Sequence, residues 1–490
     1  MEDIISDILV LIFNKLDGYD ICRFSLTSKS NFENMSKIIP LLDINLHQIY
    51  IVQKCIDFFK TCKTLNMIKC RGSINISNLL ELGSLNISKR VDSRDALIDY
   101  QSWKDLLYLP KLTHLNISGF RIKDYHIKFL PKNLISLDIS RNNITSVGIE
   151  YLTELNKLQE LNLVEINITN FEKILSLTNL KKLYLSNISF SDSCPDQSLK
   201  CLSVLTKLKI LRIEEPRQEY LNGITELDLD LEEFYLTTMN TISVNISKWS
   251  SLTKLQINHN GKREWYFDKD IFRLKSLIYL KLNGIIFNKD HVHIPDKLKI
   301  VKLSRCRGLH NIVNIFKNVD ILTINSCSDL DSKHFKYFNR ISNVSLRSVR
   351  IKDVQLNYLE NVVILKLDNF KQDDIIAITE LPKLKSLTLN WDRYIFKEDI
   401  NIDILLESIG NLYYLYIGNC SIQDFKLSKL KNLVKFGIKR TFVKDDNFLS
   451  LSELKYLTYV YVDRCNISEY TITQLGEKRS DIEVEVNDIY

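Results

Sequence analysis

Glycine and proline are scarce, 13 and 7 residues in a chain of 490. That scarcity excludes long flexible linkers, proline-rich stalks and low-complexity tails. An excess of one charge is also missing: 66 Lys and Arg stand against 60 Asp and Glu, a formal balance of +6. So even a balance singles out neither nucleic acid nor an anionic membrane as partner. No apolar run is long enough to cross a bilayer. Residues 4–13 are apolar, but Glu2 and Asp3 precede them and Asp7 interrupts them, so they do not read as a secretory signal. The 10 Cys form no close pairs, which fits a reducing compartment. The expectation is an intracellular protein, cytoplasmic or nuclear, neither secreted nor membrane-bound. Triplets such as Asn75-Ile76-Ser77 then arise from repeat register and are not glycosylation acceptors.

Motifs of catalysis are absent too. The chain has no phosphate-binding glycine loop of either common type, no H-E-x-x-H and no G-x-S-x-G. His291 and His293 flank Val292 and would share one strand face, which is half a metal site; no Cys or carboxylate at ligand spacing completes it. The run Asp228-Leu-Asp230-Leu-Glu232-Glu233 alternates and reads as an exposed strand edge. Neither an enzyme, nor a metal, nor a cofactor is expected.

What is abundant is repetition. The frame Leu-x-x-Leu-x-Leu returns about sixteen times at intervals of roughly 21 to 28 residues, from Leu112/Leu115/Ile117 to Leu457/Val460/Val462. Alternate residues of a strand share a face, so the framework leucines of each unit point one way and the residues between them point to solvent. The pattern predicts an α/β fold, a leucine-rich-repeat solenoid whose parallel sheet lines the concave side and whose helical or irregular segments form the convex side. Cys62/Leu65/Met67 and Leu82/Leu85/Ile87 read as degenerate opening units. Ile482, Val484 and Val486 read as a closing strand with the polar Arg479 in its leading position. Residues 189–197 read as an inserted loop. Cys70, Cys306, Cys327, Cys420 and Cys465 fall on the ninth position of their units, with Asn142 and Asn260, where a side chain is expected to meet backbone groups inside the turn.

The solvent-facing positions gather Tyr414, Tyr416, Tyr459 and Tyr461 with Trp391, and Lys435, Lys439 and Arg464 lie close by in the frame. Tyr, Trp and Arg dominate binding hot spots, so this patch is the expected site for a protein substrate. Nucleic acid, which the same residue types can stack on, is the less favoured partner.

Residues 1–40 do not follow the frame. Ile5, Ile8, Leu9, Ile12, Phe13 and Leu16 form a helical stripe, Gly18 stops it, and Asp20 opens a second helix carrying Ile21, Phe24 and Leu26. Phe32, Met35, Ile38 and Ile39 suggest a third. The succession Ile5-x-x-Ile8-Leu9-x-x-Ile12-Phe13-x-x-Leu16, then Asp20-Ile21-x-x-Phe24-Ser25-Leu26-x-Ser28-Lys29, resembles an F-box, here followed by leucine-rich repeats as in the F-box/LRR proteins. Ser6 departs from that family, which usually has Pro there. The resemblance implies a substrate-recognition adaptor: Ile5, Ile8, Leu9, Ile12, Phe13, Leu16 and Leu26 meet a Skp-type adaptor of a cullin ubiquitin ligase, and the repeats hold the substrate. The alternative is a stand-alone repeat scaffold or inhibitor capped by these helices. The expected organisation is an F-box-like segment at 1–40, a linker helix and opening repeats at 41–110, and the solenoid at 111–490.

Overall fold

A computed structural model describes residues 41–43, 62–66, 75–88, 104, 106–186, 199–241, 246, 248–266, 273–288, 295–327, 330, 332–349, 358–368, 378–391 and 402–487. The chain divides into two compact units, Met1–Asn245 and Ile246–Tyr490. The helical stripe of residues 1–40, the inserted loop at 189–197, and Cys70, His291 and His293 lie outside the described residues.

Each repeat contributes one strand. In the first unit these are β1 (Leu41–Asp43), β2 (Thr64–Asn66), β3 (Ser84–Asn86), β4 (His114–Asn116), β5 (Ser136–Asp138), β6 (Glu160–Leu163), β7 (Lys182–Ser186), β8 (Ile210–Glu214) and β9 (Glu233–Thr238). Each pairs in parallel with the next in chain order. Framework residues stay in register throughout, so Leu115 lies opposite Leu137 and Leu137 opposite Leu161. The second unit repeats the plan with β10 (Lys254–His259), β12 (Tyr279–Asn283), β14 (Ile300–Ser304), β15 (Ile321–Asn325), β16 (Asn343–Arg347), β17 (Ile364–Asp368), β18 (Ser386–Asn390), β19 (Tyr414–Gly418), β21 (Lys435–Lys439), β23 (Tyr459–Asp463) and β24 (Glu483–Asn487). Two short parallel pairs follow the main strands: β11 (Trp265–Tyr266) with β13 (Ile285–Ile286), and β20 (Ser421–Ile422) with β22 (Phe442–Val443). This is the predicted leucine-rich-repeat solenoid, an α/β fold with short 3-10 and α-helical segments on the return paths.

The framework leucines are buried, as strand alternation requires. The return segments add aromatic layers, where Phe338 meets Phe316 edge-on at 5.3 Å and Phe335 at 4.9 Å. Strand β1 adds a repeat ahead of the expected opening units, on the frame Ile39-x-x-Leu42-x-Ile44; Leu42 pairs with Leu65.

A recurrent backbone kink ends the strands. Arg141, Glu165, Glu215, Arg305, Ser326, Ser348, Asn419, Arg440 and Arg464 all have φ between 46° and 59°, the left-handed region that costs an L-residue roughly 1–2 kcal/mol. Each such residue reverses the inside–outside order, and the next residue turns into the core. That is why Asn142, Cys306, Cys327, Cys420 and Cys465 are buried at the ninth position. Asn142 shows what the position does: Nδ2 donates to the carbonyls of Ile117, Ile139 and Ser140 at 3.0, 2.8 and 3.2 Å, and Oδ1 accepts from Ile122 N–H at 3.1 Å. Cys306 does the same more weakly, its Sγ meeting the carbonyls of Ser304 and Leu282 at 3.2 and 3.6 Å. Asn260 departs from the expectation and is exposed. Strand β10 has no left-handed residue at its end; it keeps alternating for six residues, so His259 takes the inner place.

The closing strand is β24, and Arg479 explains its leading position. Its Nη1 donates to the carbonyl of Leu454 at 2.8 Å, its Nη2 to that of Leu457 at 3.2 Å, and Asp481 accepts from Nε and Nη2 at 2.7 Å each. A leucine there would leave those carbonyls without the guanidinium. The acidic run at 228–233 is not a strand edge: its exposure alternates, but β9 begins only at Glu233, and Asp230 is held by Lys209 at 2.9 Å.

Candidate functional site

Strands β19, β21 and β23 each turn two residues to the face opposite the framework leucines, and their register aligns these in rows, with Gly437 buried beneath its neighbours. Tyr414, Lys435 and Tyr459 form one row; Tyr416, Gly437 and Tyr461 form the other. Between them lies a cleft of about 290 Å³, lined by all six and by Phe436. Gly437 makes the cleft possible. A Cβ on it would meet Tyr416 Cδ2 at 2.6 Å, so only glycine lets that ring lie across the middle strand. The Tyr416 and Tyr461 rings then lean together over the glycine, 6.2 Å between centroids.

The row of Tyr414, Lys435 and Tyr459 carries the charge. Lys435 Nζ sits 5.6 Å from the Tyr459 ring centre, an attraction between ammonium and π-face. The Tyr459 hydroxyl donates to Glu485, and Asn487 Nδ2 donates to the Tyr461 hydroxyl at 3.3 Å. Burial pushes the Tyr416 phenol up to about 12, with the neighbouring Tyr461 and Asp463 adding to the shift. The hydrogen bond to Glu485 raises Tyr459 to about 12, and burial raises Tyr414. All three remain protonated at neutral pH and present O–H groups. The cleft therefore offers aromatic faces, phenol donors and one ammonium, the chemistry of contact.

Of the eight residues expected here, the structure brings five together: Tyr414, Tyr416, Lys435, Tyr459 and Tyr461. Lys439 and Arg464 stand apart, both directed at the buried carboxylate of Asp463, at 2.6 and 3.8 Å. Trp391 is a correction. It follows Leu387 and Leu389 at the same parity, so it faces the core and is only 1% exposed. Phe436 and Gly437 complete the lining, and the missing side chain at Gly437, between two tyrosines, is the signal that could have placed the cleft. The seven adaptor-facing residues expected in the first helices, Ile5 to Leu26, lie outside the described residues.

A family model for the F-box domain matches residues 1–30, and one for the leucine-rich repeat matches residues 133–155. This is an F-box match ahead of leucine-rich repeats. A leucine-rich-repeat-containing protein of Schizosaccharomyces pombe is 29% identical over 180 residues, 34% of this chain. The aligned part spans about a quarter, 26%, of that relative's length. Among solved structures, a leucine-rich-repeat protein of Leptospira interrogans is 16% identical with a TM-score of 0.39, covering 94% of this chain and 98% of its own. An internalin of Listeria monocytogenes is 18% identical with a TM-score of 0.30, covering 84% and 88%. F-box and leucine-rich-repeat segments are protein-interaction modules. Among the described residues no helix is long and apolar enough to cross a membrane.

Proposed function

We propose that this protein is a substrate-recognition adaptor of a Skp–cullin–F-box-type ubiquitin ligase. The F-box match at residues 1–30, placed ahead of the repeats, carries the reading. In it, residues 1–40 form the docking module, with Ile5, Ile8, Leu9, Ile12, Phe13, Leu16 and Leu26 facing a Skp-type adaptor. The repeats hold a protein substrate, and the cleft of Tyr414, Tyr416, Lys435, Tyr459 and Tyr461 is where it is gripped. Transfer chemistry belongs to other subunits, so this chain works by holding two proteins together inside the cell.

Binding of the full chain to a purified Skp-type adaptor tests the proposal. Saturable binding is expected, and Phe13→Ala should abolish it while the thermal melt of the full chain stays put. A folded full chain that does not bind would make the protein a stand-alone repeat scaffold instead. For the substrate side, Gly437→Ala should displace the Tyr416 ring and reduce substrate capture while adaptor binding is kept.

A further inference from the structure

A second cleft lies in the second unit, where β10 leaves the sheet. It measures about 170 Å³ and is lined among others by His259, Lys262, Arg263, Glu264, Arg305 and Arg307. Four fixed cations thus face one carboxylate. Glu264 is already engaged: Arg307 Nη1 donates to its Oε1 at 2.8 Å and the Tyr266 hydroxyl to its Oε2 at 3.0 Å. Arg305 is held in place by Asn283 Oδ1 on Nε and Asn260 Oδ1 on Nη2, both at 2.9 Å. Lys262 and Arg263 are exposed, and no carboxylate among the described residues pairs with either. Gly284 seals the wall: its φ is +71°, and a Cβ would meet the His259 carbonyl oxygen at 2.4 Å.

His259 adds an independent observation. It is 3% exposed and stands edge-on to Trp265 at 5.5 Å. Its Nε2 lies 2.7 Å from the Arg263 carbonyl, which only accepts, so Nε2 carries the proton. Nδ1 is buried without a hydrogen-bond partner. A buried polar atom left unpaired is costly and points to a missing group. In the neutral ring Nδ1 is a lone pair, so the missing group is a donor, yet the surroundings call for an anion.

We infer that this cleft binds a phosphate group. Hydrogen phosphate combines anionic oxygens for Lys262, Arg263, Arg305 and Arg307 with an O–H that can donate to Nδ1. Ionised carboxylates and sulfate bring the charge without the donor, and a metal cation is repelled by the four cations. The inference rests on none of the adaptor reading.

Calorimetric titration of the full chain at about pH 8, above the ordinary imidazole range, tests it with sodium phosphate, sodium sulfate and a capped phosphoserine peptide at matched ionic strength. Saturable phosphate binding tighter than sulfate is expected. The exposed double variant Lys262→Gln/Arg263→Gln should weaken it about tenfold, the loss of roughly one charge-assisted hydrogen bond. His259→Gln, where it folds, should erase the preference over sulfate. At this pH the phosphoserine dianion carries no O–H, so the peptide should bind no tighter than sulfate; a peptide that binds tighter than inorganic phosphate would overturn the inference. Equal binding of phosphate and sulfate, no saturable binding, or indifference to the double variant would overturn it.

Discussion

Strands β3–β5 and strands β19–β23 are built on the same frame, yet they use their exposed faces differently. In β3, β4 and β5 the centre residue is Asn86, Asn116 or Asp138, and its side-chain oxygen accepts the N–H two residues on, from Ser88, Ser118 or Ser140, at 3.0–3.1 Å. Asn162 in β6 does the same to Val164 and also donates to Asp138 Oδ2 at 3.0 Å. These side chains take an N–H from the ladder, and the strands stop after three or four residues. In β19, β21 and β23 the centres are Tyr416, Gly437 and Tyr461, which make no such bond, and the strands run five residues. Strands β7 and β8 lie in the same unit as β3–β6 but carry Tyr184 and Arg212 at the centre, and they too run five. The centre residue, and not the unit, sets the strand length. One side chain per repeat decides whether the face satisfies its own backbone or stays open to a partner.

The comparison can be broken first at the core. Trp391→Ala should cost about 3–5 kcal/mol as a buried aromatic truncation, whereas Tyr416→Ala should cost far less stability and act on binding. Urea melts of both variants decide it, and equal costs would undo the inside–outside assignment. Next comes the turn position. Asn142→Ala strands buried backbone groups and should cost about 3 kcal/mol, while Cys306→Ala removes only weak sulfur contacts and should cost about 1 kcal/mol. A reversed order in chemical denaturation would mean that the left-handed kink, and not the side chain, holds the turn.

Asp138→Thr installs the centre residue of β15 and β18. Losing its bonds to Ser140 and Asn162 should cost about 1–2 kcal/mol, with faster amide exchange at Ser140; unchanged exchange would show that the carboxylate does not govern strand length. The smallest effect is alkaline. The phenols of Tyr416 and Tyr459 stand near 12, above their ordinary 10.0. A raised pKa gives stability that is complete below the unfolded value and is lost as pH rises through the folded one. Stability should therefore decline from about pH 10 to 12, and Tyr416→Phe should flatten that decline in pH-dependent melts.

Strand alternation and the repeat interval were legible in the residues themselves, because a two-residue period and a leucine frame leave one way to bury the chain. So were the tyrosine rows, the Asn142 turn and the Arg479 cap. The residues placed otherwise than the frame implies depend on the backbone beyond it. Trp391 and His259 go inside because their strands keep alternating past the frame, and Asn260 goes outside for the same reason. The cleft over Gly437 needs two rings to lean across an empty position, which strand register alone brings about. The pairing of Lys439 with Asp463, and the bonds of Arg305 to Asn283 and Asn260 and of Arg307 to Glu264, join residues 22 to 45 apart in the chain. Sequence determined which side chains each repeat owns; stacking decided which of them meet, because only neighbouring coils bring residues a full repeat apart to within a hydrogen bond.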